Sequence, residues 1–311
     1  MAPEETRLDD AAVLRLRGPK APVDARRAYG AFRETEVAAN GALEDCGVVL
    51  ITNRECPFRC IYCDLWTRTT DRTSDAGVVA AQIAAAIDAI GPVPHLKLYN
   101  AGSFFDERAI PAADRAVIAR RVAAHRTVIV ESHPAFLGEA AARFAASIGG
   151  ELEVAVGLET IDPAVLGRLN KKMSLDEART AFRFLASNGI AARAFVMLRL
   201  PWQSEEEGVL WATRSIEWAF DQGARVVVVI PTRGGNGLME KLREAGAFAP
   251  PRLESLVETV RRGLEMRRGR VFADPWGAAE LVAGEAAAAG RMRELEILNR
   301  TQRADASGGS S

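Results

Sequence analysis

The chain alternates between short, nearly continuous apolar runs and longer stretches in which apolar residues recur every three or four positions. The short runs are rich in β-branched residues. They fall at 48–52 (VVLIT), 95–99 (HLKLY), 127–130 (TVIV), 152–156 (LEVAV), 192–198 (ARAFVML) and 225–230 (RVVVVI), with a weaker one at 270–273 (RVFA). Such runs predict strands buried on both faces. Helical patterns separate them. Residues 78–90 put Val79, Ile83, Ile87 and Ile90 on one face. Residues 174–188 open with Ser174 and Glu177, the spacing of a capping box, bury Leu175, Ala178, Phe182 and Leu185, and stop at Asn188-Gly189. Ser204 and Glu207 repeat the start signal, and Gln222-Gly223 the stop.

Alternation this regular predicts an α/β fold: parallel strands with outer helices, curled by right-handed crossovers into a partial or full (β/α) barrel. An open doubly wound sheet fits the same periodicity. The core is expected over 46–275. Residues 1–45 are polar and Arg-rich and read as an N-terminal extension with a helix at 24–38. Residues 276–300 read as a terminal helix closing one end of the barrel, and the tail ADASGGSS as disordered.

Composition narrows the picture. The 311 residues are 48% hydrophobic, enough for one large core or two ordinary ones. The net charge of -1 gives no global basic field, so charge lends nucleic-acid binding no support, although a local patch fits inside a neutral total. The start, MAPEETRLDD, has neither the basic end nor the apolar run of a secretory signal, and no apolar stretch approaches the ~20 residues of a membrane span. The expectation is a soluble, cytoplasmic protein without membrane contact.

The sequence has four cysteines, and Cys56, Cys60 and Cys63 lie together just after the first apolar run. A disulfide scaffold spreads its cysteines, so this cluster points to metal in a reducing compartment. C-x3-C-x2-C on a tight loop can turn three thiolates to the corners of one 4Fe–4S cube, leaving one iron open to a small molecule. A structural zinc site normally takes four ligands, and Cys46 is the remaining cysteine, placed before the first run.

A three-cysteine loop of this spacing after the first strand of a β/α barrel resembles the radical S-adenosylmethionine (SAM) superfamily, and Tyr62 occupies the aromatic position before the third cysteine. The resemblance covers about 46–275. It implies that the open iron chelates SAM, that one electron from a ferredoxin- or flavodoxin-type donor cleaves it, and that the resulting 5′-deoxyadenosyl radical abstracts hydrogen from substrate. Where the family carries a Gly-Gly-Glu motif, this chain has Asn100-Ala101-Gly102-Ser103, so Asn100, Ser103 or backbone groups beside Gly102 are left to receive the SAM ammonium, with Asp106 another possible contact or a cap. GLET at 157–160 matches the ribose position, assigning the hydroxyls to Glu159. Arg199 is a candidate for the SAM carboxylate, and Val228 to Ile230 for adenine.

The stretches YNAGSFFDER, VIVESHP and EVAVGLETIDPAVLGRLNKKMS resemble the branch containing the elongator catalytic subunit and the radical SAM protein of archaeosine synthesis, which act on tRNA bases. That likeness lies in the SAM-binding core, so substrate stays open between a small metabolite and a tRNA nucleoside, with a non-enzymatic iron–sulfur carrier as the third alternative. One further signal is the loop Pro231-Thr232-Arg233-Gly234-Gly235-Asn236-Gly237. Exposed amides before a helix, with Arg233 and Asn236, predict a site for an anionic group on substrate or SAM, against the plainer reading of a turn.

Overall fold

The computed structural model describes residues 8–282 and 288–306. Eight strands form one curled sheet in chain order: β1 (Gly30–Val37), β2 (Leu43–Ile51), β3 (His95–Asn100), β4 (Thr127–Ser132), β5 (Glu151–Glu159), β6 (Ala191–Leu198), β7 (Val226–Pro231) and β8 (Arg270–Ala273). β2 through β8 pair in parallel, and β1 runs antiparallel to β2. The result is a half-barrel with helices outside, not an open doubly wound sheet. Its edges draw together through side chains: Arg270 donates to the Val37 carbonyl at 2.7 Å, and Phe32 packs on Trp276 at 5.3 Å.

The apolar runs form strands because helices cover their outer face. Val79, Ile83, Ile87 and Ile90 of the helix Val78–Ile90 are all buried in the main core. Full burial of one such side chain contributes about 1.5–3 kcal/mol. Both capping boxes form, starting the helices Leu175–Ser187 and Glu205–Asp221.

The extension differs from the helix expected at 24–38. It holds a short helix at Asp10–Leu16 and then β1. β1 carries charge on both faces, so no apolar alternation announces it. Glu34 and Glu36 point inward, where Lys97 of β3 meets both at 2.5 Å. Arg193 of β6, 2% exposed, meets Glu36 at 2.5 Å and Glu153 at 2.6 Å. Burial alone would raise the Glu36 carboxyl, but Arg193 and Lys97 outweigh it and hold it well below the usual range. A cavity of ≈ 240 Å³ adjoins this network, lined by Glu36, Cys46, Glu153, Arg193 and Arg270. It lies at the N-terminal ends of the parallel strands, away from the cysteine loop.

Cys46 sits inside β2, level with His95 at the start of β3, rather than before the strand. The expected C-terminal helix is two helices, Pro275–Leu281 and Ala288–Thr301. Most of the tail expected to be disordered, 307–311, lies outside the described residues. Among the described residues no helix is long and apolar enough to cross a membrane.

Candidate active site

The chain leaves β2 at the C-terminal rim of the half-barrel and enters the cysteine loop. Gln82, on an otherwise apolar helix face, fixes that exit. Its side chain accepts from the Thr52 amide (3.1 Å) and donates to the Thr52 carbonyl (2.8 Å) and the Ala25 carbonyl (2.6 Å). The loop is then tied from several elements. The Ile61 amide donates to the Leu169 carbonyl at 3.0 Å, and Asn170 Nδ2 donates to the Arg59 carbonyl at 2.8 Å. Asn236 donates to the carbonyls of Ile61 and Cys63. Phe58 stacks on His133 at 4.0 Å between ring centres. Glu55 gathers Arg17 (2.6 Å), Lys20 (2.8 Å) and Arg59 (3.2 Å), which pins the N-terminal segment over the loop.

Cys56, Cys60 and Cys63 are free thiols of intermediate exposure on this loop. Burial pushes all three thiols up, Cys56 to about 11, so they ionise only with compensation from a cation. Among the described residues no three His, Cys, Asp or Glu side chains converge on one ion. Three thiolates serving a cube each bind a different iron and need not converge on one ion. Cys46 enters β2 five residues before its last residue, Ile51, about 16 Å along the strand, and is not part of the loop.

Facing the loop, Asn100 is 1% exposed, yet neither polar atom of its side chain has a partner. Asn53 Oδ1 and Thr232 Oγ1, at the ends of β2 and β7, are likewise buried and orphaned. Unpartnered polar atoms gathered on one rim are what a ligand site leaves behind. Gly102 has φ +154°, and a Cβ there would meet Cys56 and Asn100 at 3.5 Å. Ser103 accepts the His133 amide at 2.8 Å. Asp106 pairs with Arg108 at 2.9 Å, the turn-forming alternative.

Glu159 has φ +63° at a register shift in β5, and Gly157 below it leaves room for its carboxylate. Lys171 donates to Glu159 Oε1 at 2.8 Å and lies 3.5 Å from the Tyr62 hydroxyl. Gln82 and Lys171 went unnoticed in sequence. Gln82 had a signal, a lone amide on an apolar face; Lys171 is one basic residue in a basic stretch.

The rim surrounds a hollow. Leu50, Tyr99, Glu131, Phe195, Val228 and Ile230 are half-exposed while their strand neighbours are buried under helices, so their accessible side is the barrel interior. Protein encloses Glu131 and the hollow gives it partial access to solvent. Burial pushes its carboxyl up to about 8, against the Asn100 amide that donates to it at 2.6 Å.

Two expectations meet a different geometry. Arg199 is occupied by Glu205 (2.6 Å) and the Pro250 carbonyl (2.7 Å). The glycine loop is not an open anion cradle. Its Gly235 and Gly237 amides already donate to Glu240 at 2.6 and 2.7 Å, and Arg233 lies between Asp64 (3.0 Å) and Glu280 (2.9 Å). A carboxylate of the chain itself fills the cradle, and Asn236 holds the cysteine loop.

Comparison with known proteins agrees with this arrangement. Residues 50–210 match the radical SAM superfamily model. Archaeosine synthase subunit beta of Methanosarcina acetivorans is 27% identical over 173 residues, 54% of this chain and 50% of the relative. An uncharacterized protein of Methanocaldococcus jannaschii is 22% identical over 172 residues, 53% of this chain and 47% of the relative. The chain thus spans about half the length of the curated relatives it matches. Among solved structures, methylornithine synthase (PylB) gives a TM-score of 0.53 at 12% identity, covering 72% of this chain and 63% of that one. Methanocaldococcus infernus Elp3 gives 0.51 at 16% identity, covering 73% and 56%. These structural likenesses establish the half-barrel, and the model match, covering more than half of the chain, establishes the lineage: the chain belongs to the radical SAM superfamily.

Proposed function

We propose that this chain is an enzyme that holds a 4Fe–4S cluster through Cys56, Cys60 and Cys63, binds SAM beside it, and acts on a substrate in the hollow below. When bound, cluster and SAM supply a one-electron reductive cleavage that releases methionine and a 5′-deoxyadenosyl radical able to take hydrogen from substrate. The observation that carries this reading is three free, half-buried cysteines on one loop, over a rim of buried polar atoms without partners.

The residues divide the work. Asn100 receives the SAM ammonium at its side-chain oxygen, and the turn at Gly102 brings that group beside Cys56. Glu159 accepts the ribose hydroxyls, steadied by Lys171 and Tyr62. Val228 to Ile230 offer an apolar wall to adenine. Arg199 meets the SAM carboxylate only by leaving Glu205. The Phe58–His133 stack keeps water from one side of the loop. The electron comes from an external ferredoxin- or flavodoxin-type donor.

For substrate, a small metabolite or biosynthetic intermediate suits a hollow walled by Tyr99, Phe195 and Glu131. A tRNA nucleoside is the second reading, favoured by the relative named archaeosine synthase subunit beta. Protein reconstituted without oxygen should carry about four irons per chain and make 5′-deoxyadenosine from SAM and dithionite. Alanine at Cys56, Cys60 or Cys63 should abolish both, and Cys46→Ala should change neither. A protein that keeps its cluster but makes no 5′-deoxyadenosine would be a carrier. A gel shift with bulk tRNA separates the two substrate readings.

A further inference from the structure

Lys171 is a buried cation whose surroundings are built to hold it. Its side chain is 6% exposed and donates to Glu159 Oε1 at 2.8 Å. The backbone that carries it is laced to the cysteine loop: the Leu169 carbonyl accepts from Ile61, and Asn170 donates to the Arg59 carbonyl. His133 Nδ1 accepts the Ala135 amide at 3.1 Å, so its Nε2 carries the hydrogen and donates to the Lys171 carbonyl at 3.1 Å. Asn170 and Lys172, on either side, have φ +51° and +58°. Asn takes this conformation readily, but a lysine adopts it rarely. Asp10 holds both flanks, at 2.8 Å from Asn170 and 3.7 Å from Lys172.

A lysine–glutamate pair buried this deeply is a poor stabiliser, because desolvating both charges consumes most of their attraction and an apolar pair would pack as well. The use of the pair therefore lies in its charge. The Lys171 ammonium also lies 3.5 Å from the hydroxyl of Tyr62, the residue between Ile61 and Cys63 on the cysteine loop, so the charge stands against that loop.

We propose that the Lys171 ammonium is a resident positive charge in the wall of the cysteine site, which favours reduction of a cluster held there and fixes Glu159 beside it. This rests on the function proposed above. The step concerned adds one electron from an external reductant; no bond forms or breaks and no proton is needed. A fixed cation at close range in a weakly polarisable interior stabilises the more negative, reduced state. Lys171 acts as a positioning residue, and its ammonium is already engaged by Glu159, which leaves it poorly placed to serve as a direct ligand of the SAM carboxylate.

The test is a redox titration of the reconstituted protein without SAM, followed by electron paramagnetic resonance. Lys171→Met should make reduction on the order of tenfold less favourable, about 59 mV for one electron, while Lys171→Arg stays near wild type. Glu159→Gln should shift the midpoint the other way, because it removes a negative charge. Opposite signs from the two partners are what a purely structural pair would not produce. Unchanged midpoints at full iron content in Lys171→Met and Glu159→Gln overturn the proposal alone. Wild-type protein that takes up no iron sinks the proposed function and this inference together. If Lys171→Met loses its iron, Glu159→Gln decides: a positive shift supports the charge role, and no shift ends it.

Discussion

At the N-terminal ends of the parallel strands, Lys97, Arg193 and Arg270 face Glu34, Glu36 and Glu153, and the buried cations Lys97 and Arg193 meet their carboxylates at 2.5–2.6 Å. At the C-terminal ends of the same sheet, Asn53 Oδ1, both polar side-chain atoms of Asn100 and Thr232 Oγ1 are buried without partners, and Glu159 and Arg199 sit at positive φ. One sheet thus carries a satisfied end and an unsatisfied end. The satisfied end holds the half-barrel together, drawing β1 toward β3, β5 and β6 through Lys97, Glu153 and Arg193. The unsatisfied end keeps strain and orphaned atoms, which natural structures retain where a ligand relieves them.

The comparison breaks first at Glu36. Glu36→Ala leaves Lys97 and Arg193 short of a buried partner, and should lower stability by about 3–5 kcal/mol. Urea unfolding measures this, and iron per folded chain should stay unchanged. If iron fell in step with stability, the two ends would not be separable. At the other end, Glu159→Gln leaves Lys171 an amide oxygen in place of its charged partner and so also costs stability, but its distinguishing effect should be SAM binding weakened roughly ten- to a hundredfold, the ~1.5–3 kcal/mol of a charge-assisted hydrogen bond. Calorimetry showing wild-type SAM affinity in the folded variant would remove Glu159 from the ribose role.

A third effect sharpens the contrast through pH. Burial pushes the native Glu131 carboxyl up to about 8 from an ordinary 4.5. Between these values the folded state keeps a proton that the unfolded chain has lost, so stability falls as pH rises through the window and levels off above about 8. Glu131→Gln should flatten that slope in denaturation curves taken from pH 5 to 8. A variant with the wild-type slope would assign it to other groups.

Much of this was legible beforehand for definite reasons. The parallel strands announced themselves because helices bury their outer faces in apolar side chains, and the helix starts because Ser174–Glu177 and Ser204–Glu207 are local devices. The cysteine loop was legible because its three cysteines are contiguous. β1 was not, since its inward residues are charged and their partners, Lys97 and Arg193, lie far along the chain. Arg233 and Asn236 read in sequence as a site for an anionic group, but their partners at Asp64 and Ile61 come from another loop. Lys171 gave no signal, because its role depends on a backbone turn set by Asn170 and Lys172.

The tie from Asn236 to the carbonyls of Ile61 and Cys63 has a consequence for biosynthesis. Synthesis runs from the N-terminus at about 5–20 residues per second. The cysteines therefore leave the ribosome well before Asn236, and in the interval the loop lacks the ties that Asn236 makes to Ile61 and Cys63. Delivery of iron and sulfide during that interval meets flexible ligands, whereas delivery after β7 has docked meets a loop already held in shape. The last of these ties on the cysteine loop arrives when most of the sheet has been made.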